Sequence, residues 1–323
     1  MAEQSKIQII APELANQRLD AVVRSLFNVS WGKARDRIER GKVFVDGEAV
    51  VDPSVKVRAG SKVAFDPAAS RLRKEDEIDP DAIVYVDPHV VVVNKPPGLL
   101  SVPFDDGERG ALNQLLRKYL SKKHKGPSKR RGALPSLLVV HRIDKGTSGL
   151  LVFARTMFAR QRLADQFKRH TVTRRYIALA HGQVYPGTLS SHLLADRGDG
   201  IRGSVERSPN PKVRKTGSGK IAVTHIEVIE RFAKATLISC RLETGRTNQI
   251  RIHLAEIGHP ILGERVYMRG FAGPEIEVPR LMLHAAELGF LHPVTGRILM
   301  FEEPVPGDMQ GMIERLKREE GRG

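Results

Sequence analysis

The run HRIDKGTSGLLVFART, from His141 to Thr156, constrains this chain more than any other segment. A strand-like stretch, Leu137 to Val140, delivers His141, Arg142 and Asp144 to a loop that reads Lys145-Gly146-Thr147-Ser148-Gly149. A second apolar stretch, Leu150 to Phe153, follows at once. A carboxylate in a small-residue loop between two buried strands is a poor way to stabilise a core. It is a good way to hold one reactive oxygen in a cleft.

The pattern on either side of this loop predicts two domains, as 323 residues would allow. In residues 17–65, Leu19, Val22, Val23 and Leu26 recur at helical spacing. Ser30 can cap a second helix from Trp31 to Arg40, which Gly41 stops. Val43-Phe44-Val45, the turn Asp46-Gly47 and Val50-Val51 read as a tight hairpin, and Val63 to Phe65 as another strand. Arg35, Arg37, Arg40 and Lys42 cluster near the junction and suit a basic binding surface; a merely solvated face is the plainer alternative. Residues 66–80 are polar and Pro-flanked and read as a linker.

From about residue 83 the chain alternates strands with a few helices. Strands are expected at Ile83 to Val86, Val90 to Val93, Leu137 to Val140, Leu150 to Phe153, Tyr176 to Ala180, Ile221 to Ile229 and Ala235 to Leu242. Helices are expected at Leu112 to Leu120, Met157 to Lys168 and Gln249 to Ile257, the last two capped by Thr156 and Thr247. Strands without regular intervening helices favour an α+β fold with a mainly antiparallel mixed sheet. The segment Lys118 to Arg131 is too polar and too broken to pack; it reads as a disordered or solvated insertion, or as a phosphate-binding loop that orders on RNA.

Two further constellations carry chemistry. Arg174-Arg175-Tyr176 starts a strand with a basic pair; Tyr176 taken alone would pass for an ordinary half-buried aromatic. In Thr244-Gly245-Arg246-Thr247-Asn248-Gln249-Ile250-Arg251, a helix starting at Thr247 turns Ile250, Leu254 and Ile257 to the core. Arg251 then flanks that stripe and can point into a cleft. A buried Arg needs a carboxylate, and Asp144 is the expected partner.

The His141 run resembles the catalytic motif of the RluA family of pseudouridine synthases, and the resemblance implies that Asp144 is catalytic. The Arg174/Tyr176 pair and the Gly245-to-Arg251 run resemble that family's other site motifs, with Asn248 where the family usually has His. Val92 to Leu99, and Leu283-His284-Ala285 with His292 to Gly296, extend the likeness over most of residues 83–305. The run RLD…SWGKARDRIERGKVFVDG resembles a small αL RNA-binding domain. It departs from that pattern at Trp31-Gly32, where a basic or small polar pair is usual.

Together these resemblances imply an αL RNA-binding domain over residues 1–65 and a pseudouridine synthase domain with a central cleft over residues 81–323. They imply an isomerase that turns specific uridines into pseudouridines without a metal or organic cofactor. Asp144, Tyr176 and Arg251 would be catalytic. His141, Arg142, Arg174, Arg246, Asn248, Arg35, Arg37 and Lys42 would position or bind RNA. The domain pairing points to large-subunit ribosomal RNA. A tRNA substrate, or a catalytically silent RNA-binding or ribosome-assembly protein on the same fold, is the alternative. The resemblance also implies action as a monomer.

Composition agrees with this and excludes other classes. Lys and Arg number 53 against 37 Asp and Glu, a net charge of +16 that favours a polyanionic partner. The single cysteine, Cys240, cannot form an intrachain disulfide and reads as a core residue. No apolar run approaches the roughly 20 residues of a membrane span, and the first residues do not form a secretory signal. A soluble cytoplasmic protein is the simplest expectation. Gly198 to Gly203 fits G-x-G-x-x-G, but a basic loop follows it where a dinucleotide site needs a helix. His141 and Ser148 lack the elbow of a hydrolase triad. A metal-dependent nuclease would need carboxylates clustered near Asp144, and the sequence has none there.

Overall fold

The structure, a computed structural model, describes residues 6–50, 52–67, 77–103, 110–123 and 136–320. The middle of the expected linker and residues 124–131 of the expected basic loop lie outside the described residues. The chain divides into two compact units, Met1–Asp79 and Pro80–Gly323.

The first unit contains β1 (Lys6–Ile9), α1 (Leu19–Phe27), α2 (Trp31–Glu39), β2 (Val43–Val45), β3 (Glu48–Ala49) and β4 (Lys62–Phe65). The strands pair antiparallel in the order β1-β4-β2-β3. Leu19, Val22, Val23 and Phe27 of α1 pack with Ala34 and Ile38 of α2 and with Val43, Val63 and Phe65 of the sheet. Ser30 caps α2 by accepting the Lys33 N–H at 3.3 Å. The Asp46-Gly47 turn has φ of 52° and 87°, the positive pair that a two-residue hairpin turn demands.

The second unit is built on an eleven-stranded sheet. Its strands are β5 (Ile83–Val86), β6 (Val90–Lys95), β7 (Leu138–Val139), β8 (Ser148–Ala154), β9 (Thr173–His181), β10 (Gly187–Leu194), β11 (Gly203–Ser204), β12 (Lys220–Arg231), β13 (Ala235–Leu242), β14 (Leu283–Leu291) and β15 (Ile298–Glu302). The helices are α3 (Leu112–Lys123), α4 (Met157–Lys168), α5 (Pro211–Thr216), α6 (Gln249–Glu256) and α7 (Gly307–Glu320). The main path runs β11-β10-β12-β13-β9-β14-β8-β6-β5, with β15 also on β14 and β7 also on β8.

Among the described strand pairs, β8 and β14 alone run parallel, with His284 opposite Ser148 and Ala285 opposite Gly149. The expected mixed, mainly antiparallel sheet is therefore what forms. Gly149 has φ of 110°, and a Cβ there would meet the Ala285 carbonyl oxygen at 2.3 Å. Only glycine lets β8 leave the Asp144 loop this close to β14. Apolar residues of β9, β13 and β14 pack with Ile250 and Leu254 of α6 and with Met309, Met312, Ile313 and Leu316 of α7. A second cluster joins β6 and β8 to Ala159 and Leu163 of α4.

Three local expectations need correction. Helix α3 runs past its expected end at Leu120 to Lys123 and so takes in the start of the expected basic loop, because Leu112, Leu115, Leu116 and Leu120 bury a stripe that carries the polar turn with it. Ile257 does not face the core: α6 ends before it and it is exposed. Thr247 does not cap α6. The residue at that end is Asn248, in a left-handed conformation (φ 59°), with no side-chain cap bond. No helix of the described residues is long and apolar enough to cross a membrane.

Candidate active site

Asp144 is held from both sides. Ser101 Oγ donates to the Ile143 carbonyl at 2.8 Å and lies 3.3 Å from the Ile143 N–H. Lys95, fully buried, donates to the carbonyls of Pro96, Leu99 and Lys145 at 2.9, 2.8 and 3.1 Å. A buried ammonium requires such acceptors. The residues before and after Asp144 are therefore tied to the 95–101 turn. The sequence marked that turn by resemblance without assigning it this role.

The site lies in a cleft of about 390 Å³ beside the β8–β14–β9 part of the sheet. Asp144, Tyr176, Arg251, His141, Arg142, Arg174, Arg246 and Asn248 all line it. Every residue expected of this region is thus brought together. Arg35, Arg37 and Lys42 belong to the first unit. There Arg35 donates to Asp20 at 3.0 Å, Arg37 lies 4.1 Å over the Phe65 ring, and Lys42 donates to the Pro67 carbonyl at 2.9 Å.

Arg251 approaches Asp144 to 3.6 Å, but its tighter partner is another carboxylate. Its Nε and one terminal nitrogen bind the two oxygens of Glu264 at 2.7 and 2.8 Å, a bidentate pair. Glu264 Oε1 also accepts the backbone N–H groups of Arg265, Val266 and Tyr267. Burial alone would raise the Glu264 pKa, but the Arg251 bonds and these amides outweigh it and hold it below the usual carboxylate range. The expected pairing of Arg251 with Asp144 is present, and Glu264 is an additional, tighter partner that the sequence did not indicate. Glu264, 13 residues along the chain, neutralises the cation and leaves it one face to present to Asp144.

Asp144 itself is shifted upward. Burial raises its carboxyl pKa, and the opposing pull of Arg251 and Arg142 does not cancel that. An aspartate with a raised pKa in a cleft is a group prepared to exchange protons or to react. Tyr176 sits in β9 opposite Ala285 of β14 and Cys240 of β13. Burial pushes its phenol up to about 12, so it is neutral at physiological pH.

Asn248 donates to the Tyr267 hydroxyl at 2.8 Å and accepts from Arg251 at 3.1 Å. Asn tolerates the left-handed backbone better than most residues, and its amide is drawn to the site and away from capping. Tyr267 also faces the Arg251 guanidinium at 5.2 Å. The sequence reading missed Glu264 and Tyr267. The one signal for them was the demand of a buried Arg for a partner.

The remaining residues position the walls. His141 Nε2 accepts the Val152 N–H at 3.1 Å and its ring stacks on Phe167 at 4.4 Å. Burial, helped by Arg174, pulls its pKa down to about 3, so it stays neutral and orients the loop. Arg174 donates to the Glu243 carbonyl at 2.9 Å. A Cβ on Gly245 would meet the Arg174 guanidinium at 2.3 Å, so glycine is what admits the arginine here. Arg246 donates to the Ile221 carbonyl at 2.9 Å, and Arg142 is exposed at the rim. Ser148 pairs with His284 at 3.0 Å, which removes the hydrolase arrangement with His141. Gly198 to Gly203 leads into β11, as a dinucleotide site does not.

Residues 89–256 match the family described as RNA pseudouridylate synthase, and residues 17–63 match the S4 domain. The ribosomal large subunit pseudouridine synthase D of Zymomonas mobilis is 37% identical over 95% of this chain and 96% of its own length. A Bacillus subtilis protein named as an uncharacterized RNA pseudouridine synthase is 37% identical over 97% of this chain and 99% of its own length. Among solved structures, human RNA pseudouridylate synthase domain containing 4 superposes with a TM-score of 0.57 at 22% identity. It covers 73% of this chain and 93% of that one, and shows the fold.

Proposed function

The chain belongs to the RNA pseudouridylate synthase family, whose members isomerise uridine to pseudouridine, and from that premise we propose that Asp144, Arg251 and Tyr176 perform this reaction on large-subunit ribosomal RNA. The observation that carries the reading is the meeting of a raised-pKa aspartate, an arginine 3.6 Å from it and a neutral tyrosine in one cleft.

In the reaction the bond from ribose C1′ to uracil N1 breaks, the base turns, and C1′ bonds to C5. The C5 proton leaves and N1 gains one, so nothing is oxidised and no group is added. Asp144 is the carboxylate on which cleavage depends. Arg251, already neutralised by Glu264, orients it and favours its ionised form. Tyr176 offers an aromatic face to the detached base and a hydroxyl that does not ionise. The groups lining the cleft that can assist removal of the C5 proton are Asp144 and Tyr176.

Two buried polar atoms of cleft-lining residues, Arg174 Nε and Thr147 Oγ1, have no hydrogen-bond partner among the described residues. Both atoms are fully buried, so a bound nucleotide would reach them only through a shift of the cleft wall. The excess of cations, +16 overall, supports binding through flanking phosphates. The RNA target follows the relatives' names: several of them act on the ribosomal large subunit.

The test is release of tritium from RNA carrying tritium at C5 of uridine. Unmodified large-subunit ribosomal RNA should release it. Release from tRNA alone would move the substrate, and no release from either RNA would contradict the reading.

A further inference from the structure

Trp31 is the single tryptophan of the chain, and it contributes nothing to the core of its unit. It stands at the first position of α2 and is 44% exposed. The Arg24 guanidinium lies 5.1 Å from its ring centre and that of Arg35 lies 5.8 Å away. Arg35 is aimed by Asp20, whose side chain is fully buried and accepts it at 3.0 Å. Next to the indole, Gly32 is exposed, with nothing within 4 Å of where a Cβ would stand. A large aromatic kept out of the core, flanked by two arginines and left open to approach, serves binding better than stability.

We propose that Trp31 is a stacking platform for an unpaired RNA base, with Arg24 and Arg35 engaging the adjoining phosphates. An indole has no use for a phosphate, so charge alone does not account for it. A base inside a duplex is already stacked on its neighbours, so the partner is a base in a loop, bulge or strand end. The proposal rests on the reading of the chain as an RNA-modifying enzyme and adds a base contact made by the first unit.

The full-length protein carries its own probe, since all tryptophan fluorescence comes from Trp31. Titration with an RNA hairpin bearing an unpaired loop should quench it, and a fully paired duplex of equal length should quench it far less. In tritium release from large-subunit ribosomal RNA, Trp31→Ala should raise KM on the order of tenfold with kcat unchanged. The slope of affinity against salt should stay the same, because no phosphate contact is removed. Trp31→Phe should keep most of the affinity and Trp31→Lys should not. Trp31→Ala folds normally on this account, because the indole is outside the core and alanine favours helix. Equal quenching by duplex and hairpin, an unaltered KM in Trp31→Ala, or rescue by Trp31→Lys would each overturn the proposal. A wild type that releases no tritium would instead overturn the functional reading, and the quenching comparison would still decide the stacking.

Discussion

The first unit and the catalytic unit each contain a fully buried carboxylate that holds arginine, and they use it differently. Asp20 accepts Arg18 and Arg35, both about half exposed, and so fixes two cations at the surface. Its hydrogen bonds with them outweigh the upward push of burial and lower its pKa. Glu264 accepts Arg251, which is itself only 15% exposed, and turns it inward toward Asp144. One carboxylate presents positive charge to a polyanion. The other builds a cation into a cleft without leaving it unbalanced, so that the second carboxylate there can remain reactive. The difference teaches that the strained member of the active site is Asp144 and not Arg251.

This comparison can be broken by substitution. Glu264→Gln removes the charge that balances a buried arginine, which should cost about 3 kcal/mol or more in chemical denaturation. Displacement of Arg251 should also lower kcat by about 100-fold. Retained stability would mean that Asp144 suffices as the partner.

Asp20→Asn should cost roughly half as much stability, because its arginines keep their water. It should raise KM for RNA and leave kcat alone. A fall in kcat like that of Glu264→Gln would erase the distinction between the two regions.

The smallest effect has the opposite sign. A carboxyl whose folded pKa is raised contributes stability below its unfolded pKa and loses it as pH rises through the folded value. Ionised Asp144 therefore weakens the fold at neutral pH. Asp144→Asn should melt at or slightly above the wild-type temperature at neutral pH, and the difference should close as pH falls through the raised value. Glu264, with a lowered pKa, begins to lose its contribution as pH falls to the ordinary carboxylate value, where the unfolded chain takes up a proton, and has lost it once pH is below its own lowered value. The acid limb of kcat/KM should accordingly lie above the ordinary Asp value of about 3.9, without unfolding across that limb.

Most strands of the second unit were legible because their apolar runs are continuous: Ile83 to Val86 and Ala235 to Leu242 form as the residues indicate. Strand β14, Leu283–Leu291, which pairs with β8 and β9 beside the site, was marked only by the resemblance at Leu283-His284-Ala285. Strand β10 was not, since Gly187–Leu194 is mostly polar and partly exposed and offers no apolar alternation. Helix α7 escaped because its core residues, Met309, Met312, Ile313 and Leu316, are dispersed among charges. In the cleft, Asp144, Tyr176 and Arg251 were visible as motifs. Glu264 and Lys95 were harder to read, since each acts through bonds set by tertiary structure: a bidentate pair across a turn, and an ammonium in a ring of carbonyls. Asn248 stood out as a departure, and only its left-handed backbone and its bonds to Tyr267 and Arg251 explain its place.

The most direct test of the account is single-turnover tritium release from C5-labelled large-subunit ribosomal RNA, with wild type beside Asp144→Asn. The account predicts release by wild type and a loss on the order of 1,000-fold or more in the variant. RNA affinity and melting temperature should be preserved. Comparable release by Asp144→Asn would contradict it, because the carboxylate around which the cleft is built would then have no part in the reaction.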